Sequence, residues 1–183
     1  MLKFKSLLLF LFSLLICLNT ALANTRSVRK VVKIKSTLGE DVRVLYRESH
    51  ALVIGVSEYT KWKKLPGVLE DITAVRKALE EHDFEVKVVK NPKNRNEIKN
   101  EFERFISQHG REPDNRLLFY YAGHGHTINK HGQDFGYIVP ANSPKPDIDL
   151  NGFKDSAMDM QVIEVLAKDI DSKHVLFVFD SCF

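Results

Sequence analysis

The sequence predicts an α/β domain built on a mostly parallel sheet, and three observations lead there. Short strand-like runs recur at 51–56, 84–89, 116–122 and 174–179, segments with helical spacing of apolar residues separate them, and the chain has one domain's worth of residues. At 183 residues, 44% hydrophobic and 28% charged, with only 9 Gly and 6 Pro, the chain can bury a core, which excludes disordered and fibrous classes. Its 27 basic and 24 acidic residues leave a formal charge of +3, so bulk charge selects no nucleic-acid partner.

The elements follow in order. Lys3 and Lys5 precede the apolar run 7–18, and Ala21 and Ala23 supply the small residues a signal peptidase reads, so residues 1–23 are expected to be a secretory signal peptide. Asn19 and Thr20 cut the run short of the length a membrane anchor needs, so no stable membrane insertion is expected after cleavage, and the mature chain would be secreted or periplasmic. Residues 24–47 alternate basic and β-branched residues around Gly39, a lead-in or hairpin whose basic cluster reads as a solvated strand face.

The regular domain, 48–183, then opens with the buried strand at 51–56. Leu65, Leu69, Ile72, Val75 and Leu79 mark a helix entered through Pro66-Gly67, and 84–89 is a second strand. Asn94 with Glu97 resembles a capping box opening a helix whose inner face is Ile98, Phe102, Phe105 and Ile106. The third strand, 116–122, ends at Gly123-His124-Gly125; 134–140 can form a small antiparallel strand, and 143–146 is loop. Ser156 with Asp159 is read as the cap of a helix carrying Met158, Val162, Val165, Leu166 and Ile170, before the last strand at 174–179. Tyr59 and Trp62, in the loop after the first strand, could border the cleft or pack, and packing is the preferred reading.

Parallel strands share one carboxyl edge, where sites in such sheets form. His124 follows the third strand and Cys182 the fourth, so if these strands are neighbours their ends lie about 4.8 Å apart and the two side chains open into one crevice. An ordinary thiol is mostly protonated at neutral pH, but an adjacent imidazole can take its proton and later return it to a leaving amine. Gly123 is expected to let the chain turn sharply, and Gly125 to expose a backbone N–H. That N–H and the N–H of Cys182 could form an oxyanion hole, typically about 2.7–4 kcal/mol of the barrier per donor.

The blocks at 51–56 (ALVIGV), 65–71 (LPGVLED), 120–125 (YYAGHG), 137–140 (YIVP) and 180–182 (DSC) resemble the large-subunit half of the caspase/metacaspase cysteine peptidases. The resemblance runs from about residue 50 to the end of the sequence. It implies a three-layer caspase-like fold, with a sheet in the order 2-1-3-4 flanked by helices and the C-terminal part of the sheet missing. It further implies His124 and Cys182 as catalytic dyad, Gly125 and Cys182 as oxyanion donors, and a polypeptide substrate. Two residues before the nucleophile caspases carry Gln, whereas metacaspases carry Asp and prefer Arg or Lys; here it is Asp180. By the same resemblance Asp180, Asp71 and Ala122 would lie on the substrate side, and a carboxylate suits a guanidinium. The remaining strands would come from a small subunit or C-terminal half, so little peptidase activity is expected of this chain alone.

Other chemistries fit less well. His124, His126 and His131 with Cys182 offer metal-ligand atoms, but their spacing matches no tight zinc pattern. Asp147, Asp149, Asp155 and Asp159 offer oxygens for calcium, which occurs in metacaspases, yet match no EF-hand, so no cofactor is expected. No Gly-x-Ser-x-Gly elbow supports a serine hydrolase. The alternative to a peptidase is a catalytically incomplete caspase-like half-domain that binds or regulates.

Overall fold

The computed structural model describes residues 33–36, 39–44 and 46–183. The signal peptide expected at 1–23 lies outside the described residues. Strands β1 (Lys33–Ser36) and β2 (Gly39–Val44) pair antiparallel, with Gly39 opposite Ser36.

The central sheet follows from the four strand-like runs. Strand β3 (Ser49–Gly55) lies between β4 (Glu85–Lys90) and β5 (Arg116–Ala122), and β9 (His174–Asp180) pairs with the far side of β5, all parallel. The order β4-β3-β5-β9 is the 2-1-3-4 arrangement that the family resemblance implies. Alternation along the strands splits the core between two faces. Leu52, Ile54, Leu117, Phe119 and Tyr121 meet Ile98, Phe102, Phe105 and Ile106 of helix α2 (Arg95–His109). Val53 and Ala122 meet Val68 and Ile72 of α1 (Val68–Glu81) on the other face. Phe119 is stacked between Phe102 and Phe177, with ring centroids at 5.1 and 4.5 Å, which ties β9 to the α2 layer.

Helix α2 begins where its capping residues place it: Asn94 Oδ1 accepts from the Glu97 N–H at 3.0 Å, and the Glu97 carboxylate accepts from the Lys93 N–H at 2.7 Å. The segment after 143–146 departs from the sequence reading. Instead of one helix capped by Ser156, it forms α3 (Leu150–Ser156), the short strand β8 (Met158–Asp159) and α4 (Met160–Ala167). Asp149 caps α3 and Asp159 caps α4, whereas the Ser156 hydroxyl donates back to the Gly152 carbonyl at 2.7 Å inside the last turn. A second sheet was only half foreseen: β7 (Gln133–Ile138) pairs antiparallel with β8 and with β6 (Gly125–Lys130), a strand whose polar GHTINK composition gives no apolar alternation.

At the amino end of the sheet, far from the strand tips that carry His124 and Cys182, the rings of buried His50 and of His109 stack at 3.8 Å, with Glu48 and Glu85 beside His50 at 3.1 and 3.3 Å. Burial, and then the neighbouring His50, hold the His109 pKa below its usual value of 6.5. A histidine depressed in the folded state leaves the unfolded chain binding more protons, so its stabilising contribution is complete above pH 6.5 and is lost as the pH falls below it. Stability measured by urea unfolding between about pH 8 and 5 should fall toward acid, and His109→Gln should flatten that limb.

Candidate active site

Three loops leave three adjacent strand tips. Gly55, Ala122 and Asp180 are in register across β3, β5 and β9, so the loops after them start side by side. The Gly123 N–H reaches the Asp180 carbonyl at 3.4 Å; His124 follows Gly123 by one residue, and Cys182 follows Asp180 by two. The backbones meet there: a Cβ at Gly125 would lie 2.7 Å from the Cys182 carbonyl oxygen and 2.9 Å from the Phe183 ring. The Cys182 thiol is free and exposed, so the sulfur is not sealed inside the core.

His124 is held from both ends of its peptide unit. Its N–H donates to the Tyr59 hydroxyl at 2.7 Å, and its carbonyl accepts from the Tyr121 hydroxyl at 3.1 Å and from the Val139 N–H at 3.0 Å. Tyr121 also reaches the Val139 carbonyl at 3.0 Å, and the two tyrosine hydroxyls bond to each other. Carbonyls only accept, so the single Tyr121 proton serves them and the Tyr59 proton goes to Tyr121. Burial is the main reason that both phenols titrate above their usual 10, which keeps these protons in place.

The imidazole is oriented as well as anchored. Its Nε2 lies 2.8 Å from the Lys63 carbonyl, and its ring packs against Tyr59 and Trp62 at 4.6 and 5.3 Å. Because a carbonyl can only accept, Nε2 carries the hydrogen, which leaves Nδ1 as the basic nitrogen of the neutral ring.

On the α1 side of the same tips lies an acidic group. The Tyr120 hydroxyl donates to Asp180 Oδ2 at 2.9 Å, and the Tyr120 pKa is pushed far above 10 by burial first, then by Asp180, with Asp71 adding to it. Asp71 and Asp180 therefore bear on the same phenol, although α1 and β9 are distant in sequence.

Residues 48–183 match the caspase domain of peptidase family C14. The chain belongs to the caspase-domain family. At family level it is a cysteine peptidase domain, and the family acts on polypeptides. A crystal structure of a protein from Geobacter sulfurreducens has a similar fold, with a TM-score of 0.56 at 15% identity; the match covers 74% of this chain and 50% of that one, so this chain spans half the length of that protein. No curated protein matches the chain.

Within this caspase domain several sequence expectations need revision. Tyr59 and Trp62 do more than pack, since both touch the His124 ring and Tyr59 holds its backbone. Gly123 stands at the bend after β5, without a positive φ, which among the described glycines only Gly132 has. Gly123 and Gly125 are also places of close approach, Gly123 because a Cβ would sit 2.6 Å from the Tyr59 hydroxyl and 2.7 Å from that of Tyr121. Ala122 is 2% exposed and lies in the α1-side core, so its methyl offers no surface to a substrate.

The metal-ligand candidates do not gather. His126 packs edge-on to Trp62 and Phe153, while His131 sits at φ 54° between β6 and β7. For calcium, Asp149 and Asp159 already spend an oxygen on helix caps. Among the described residues no group of three or more His, Cys, Asp or Glu is placed to hold a metal. The sequence reading missed Tyr120, Tyr121 and the Lys63 carbonyl. A signal for the first two was present: strand alternation sends adjacent tyrosines just ahead of Gly-His-Gly to opposite faces, and a buried phenol needs a partner.

Proposed function

We propose that this caspase domain cleaves polypeptides after Arg or Lys, with His124 and Cys182 as the reacting pair. The observation that supports it most is the backbone contact between Gly125 and Cys182 beside an imidazole whose Nε2 is tied to the Lys63 carbonyl. His124 Nδ1 takes the thiol proton, and the sulfur attacks the scissile carbonyl carbon to form a C–S bond. The N–H groups of Gly125 and Cys182 receive the resulting oxyanion. Collapse breaks the C–N bond, and the imidazolium returns its proton to the departing amine. Water then gives a proton to His124 and its hydroxyl to the thioester, releasing the new carboxyl terminus and the thiol.

Asp180, one oxygen of which is occupied by Tyr120, and Asp71 recognise the basic side chain before the scissile bond. A C-terminal half or small subunit pairing with the outer edge of β9 completes the cleft, and the signal peptide places the activity outside the cytosol.

The test is affinity labelling rather than turnover. Peptidyl acyloxymethyl ketones ending in Arg or in norleucine are compared for their rate of attachment to Cys182, read by mass spectrometry. The Arg reagent should react at least about tenfold faster, and Asp180→Asn should remove most of that preference, since a charge-assisted hydrogen bond contributes about 1.5–3 kcal/mol. Equal rates for the two reagents on the unmodified chain would reject the basic specificity, and failure of both to label Cys182 would leave a caspase-like module that binds or regulates.

A further inference from the structure

On the β6–β7 side of His124 lies an open cavity of about 640 Å³, a size that holds more than one side chain. Trp62 is one wall. Its Nε1–H is committed to the Ser143 and Pro144 carbonyls at 3.1 and 3.3 Å, which fixes the indole to the 143–146 loop where it lines the cavity. Ile128 and the half-exposed Leu150 add apolar surface, and the His124 ring itself closes the end nearest the strand tips. Lys63 and Lys145 stand around the opening with Asp147 as the one acid, and neither lysine forms an ion pair among the described residues. The recess is apolar inside and carries one net positive charge around it.

This inference rests on the peptidase reading above and gives the same site a second half. In that reading the imidazole returns its proton to the departing amine, so the residue that bears this amine must lie against His124. The cavity lined by the His124 ring is where that residue's side chain has room. We propose that it is the subsite for the departing segment, taking an aromatic or aliphatic side chain from the first residue after the cleaved bond and a carboxylate from the next one near Lys63 and Lys145. The acidic group at Asp71 and Asp180 and this basic-rimmed recess then read the two sides of the bond with opposite charge preferences.

Trp62 is the sole tryptophan of the chain, so intrinsic fluorescence reports on this wall alone. The experiment titrates the full-length chain carrying Cys182→Ala with acetyl-Phe-Glu-amide and with acetyl-Phe-Lys-amide. The Glu peptide should give a saturable change in Trp62 emission, and the Lys peptide should bind about fivefold more weakly, the range of exposed charge pairs. Lys145→Glu should reverse that order, with Lys63→Glu as the replacement should the first variant not fold. No saturable change, or an order indifferent to both charge reversals, overturns the subsite. Because the titration does not use the thiol, absent binding alongside Arg-selective labelling of Cys182 rejects the subsite alone, whereas selective binding alongside failure of both reagents to label Cys182 rejects the catalytic reading and leaves a peptide-binding recess.

Discussion

Replacing His124 by alanine should slow alkylation of Cys182 by iodoacetamide at neutral pH by up to about tenfold. An unassisted thiol is mostly protonated there, a base that takes its proton removes that limit, and the lower basicity of an assisted thiolate gives part of the gain back. Tyr59→Phe gives a sharper comparison, because it leaves the imidazole in place and removes the acceptor for the His124 N–H at 2.7 Å together with the hydroxyl that bonds Tyr121. An intermediate loss is expected there, from an imidazole that is present but less firmly aimed. Equal rates in all three proteins would mean that His124 does not act on the sulfur, and the dyad would have to be abandoned.

Much of this arrangement was readable before any coordinates, for a specific reason. A strand covered on both faces must be apolar along its length, so β3 announced itself, and the apolar runs of β5 and β9 did the same although β9 leaves Leu176 exposed; a parallel sheet gathers their carboxyl ends at one edge. His124 and Cys182 inherited their proximity from that topology. What the sequence could not supply was the identity of neighbours across elements. Tyr59 and Trp62 sit in a loop without period, and only the folded chain sets them against the His124 ring.

Where local signals compete, the sequence reading went astray. Ser156 and Asp159 have the spacing of a cap pair, but so does Asp149 with Gly152, and it is Asp149 whose carboxylate meets an unpaired N–H. The chain breaks into two short helices because Met158 and Asp159 pair with Tyr137 and Ile138 of β7 instead of continuing a helix. Strand β6 stayed hidden because His126, Thr127, Asn129 and Lys130 are polar and the strand is only partly buried, so burial imposes no pattern on it. In each case tertiary pairing decided between options that were locally equivalent.

Gly123→Ala should be among the most costly single substitutions in the domain. A methyl there falls 2.6 Å from the Tyr59 hydroxyl and 2.7 Å from that of Tyr121, closer than real Cβ atoms come to any neighbour, and both rings are buried. To make room the phenols must retreat, and His124 then loses the partner of its N–H or of its carbonyl. Overpacking costs about 1–3 kcal/mol and an unsatisfied buried group a further 1–3, so a loss of about 2–6 kcal/mol is expected, or about 5–20 °C in Tm for a domain of this size. Gly132→Ala is the control: φ there is +78° with nothing within 4 Å of a Cβ, so its cost is conformational alone and about 1 kcal/mol. The cause can be isolated by combining Gly123→Ala with Tyr59→Phe. Deleting the hydroxyl that the methyl strikes should make the pair less damaging than the sum of its members, with a coupling of about 1 kcal/mol. Strict additivity, or a Gly123→Ala cost no greater than that of Gly132→Ala, would mean that the two phenols do not set the space in which His124 is held.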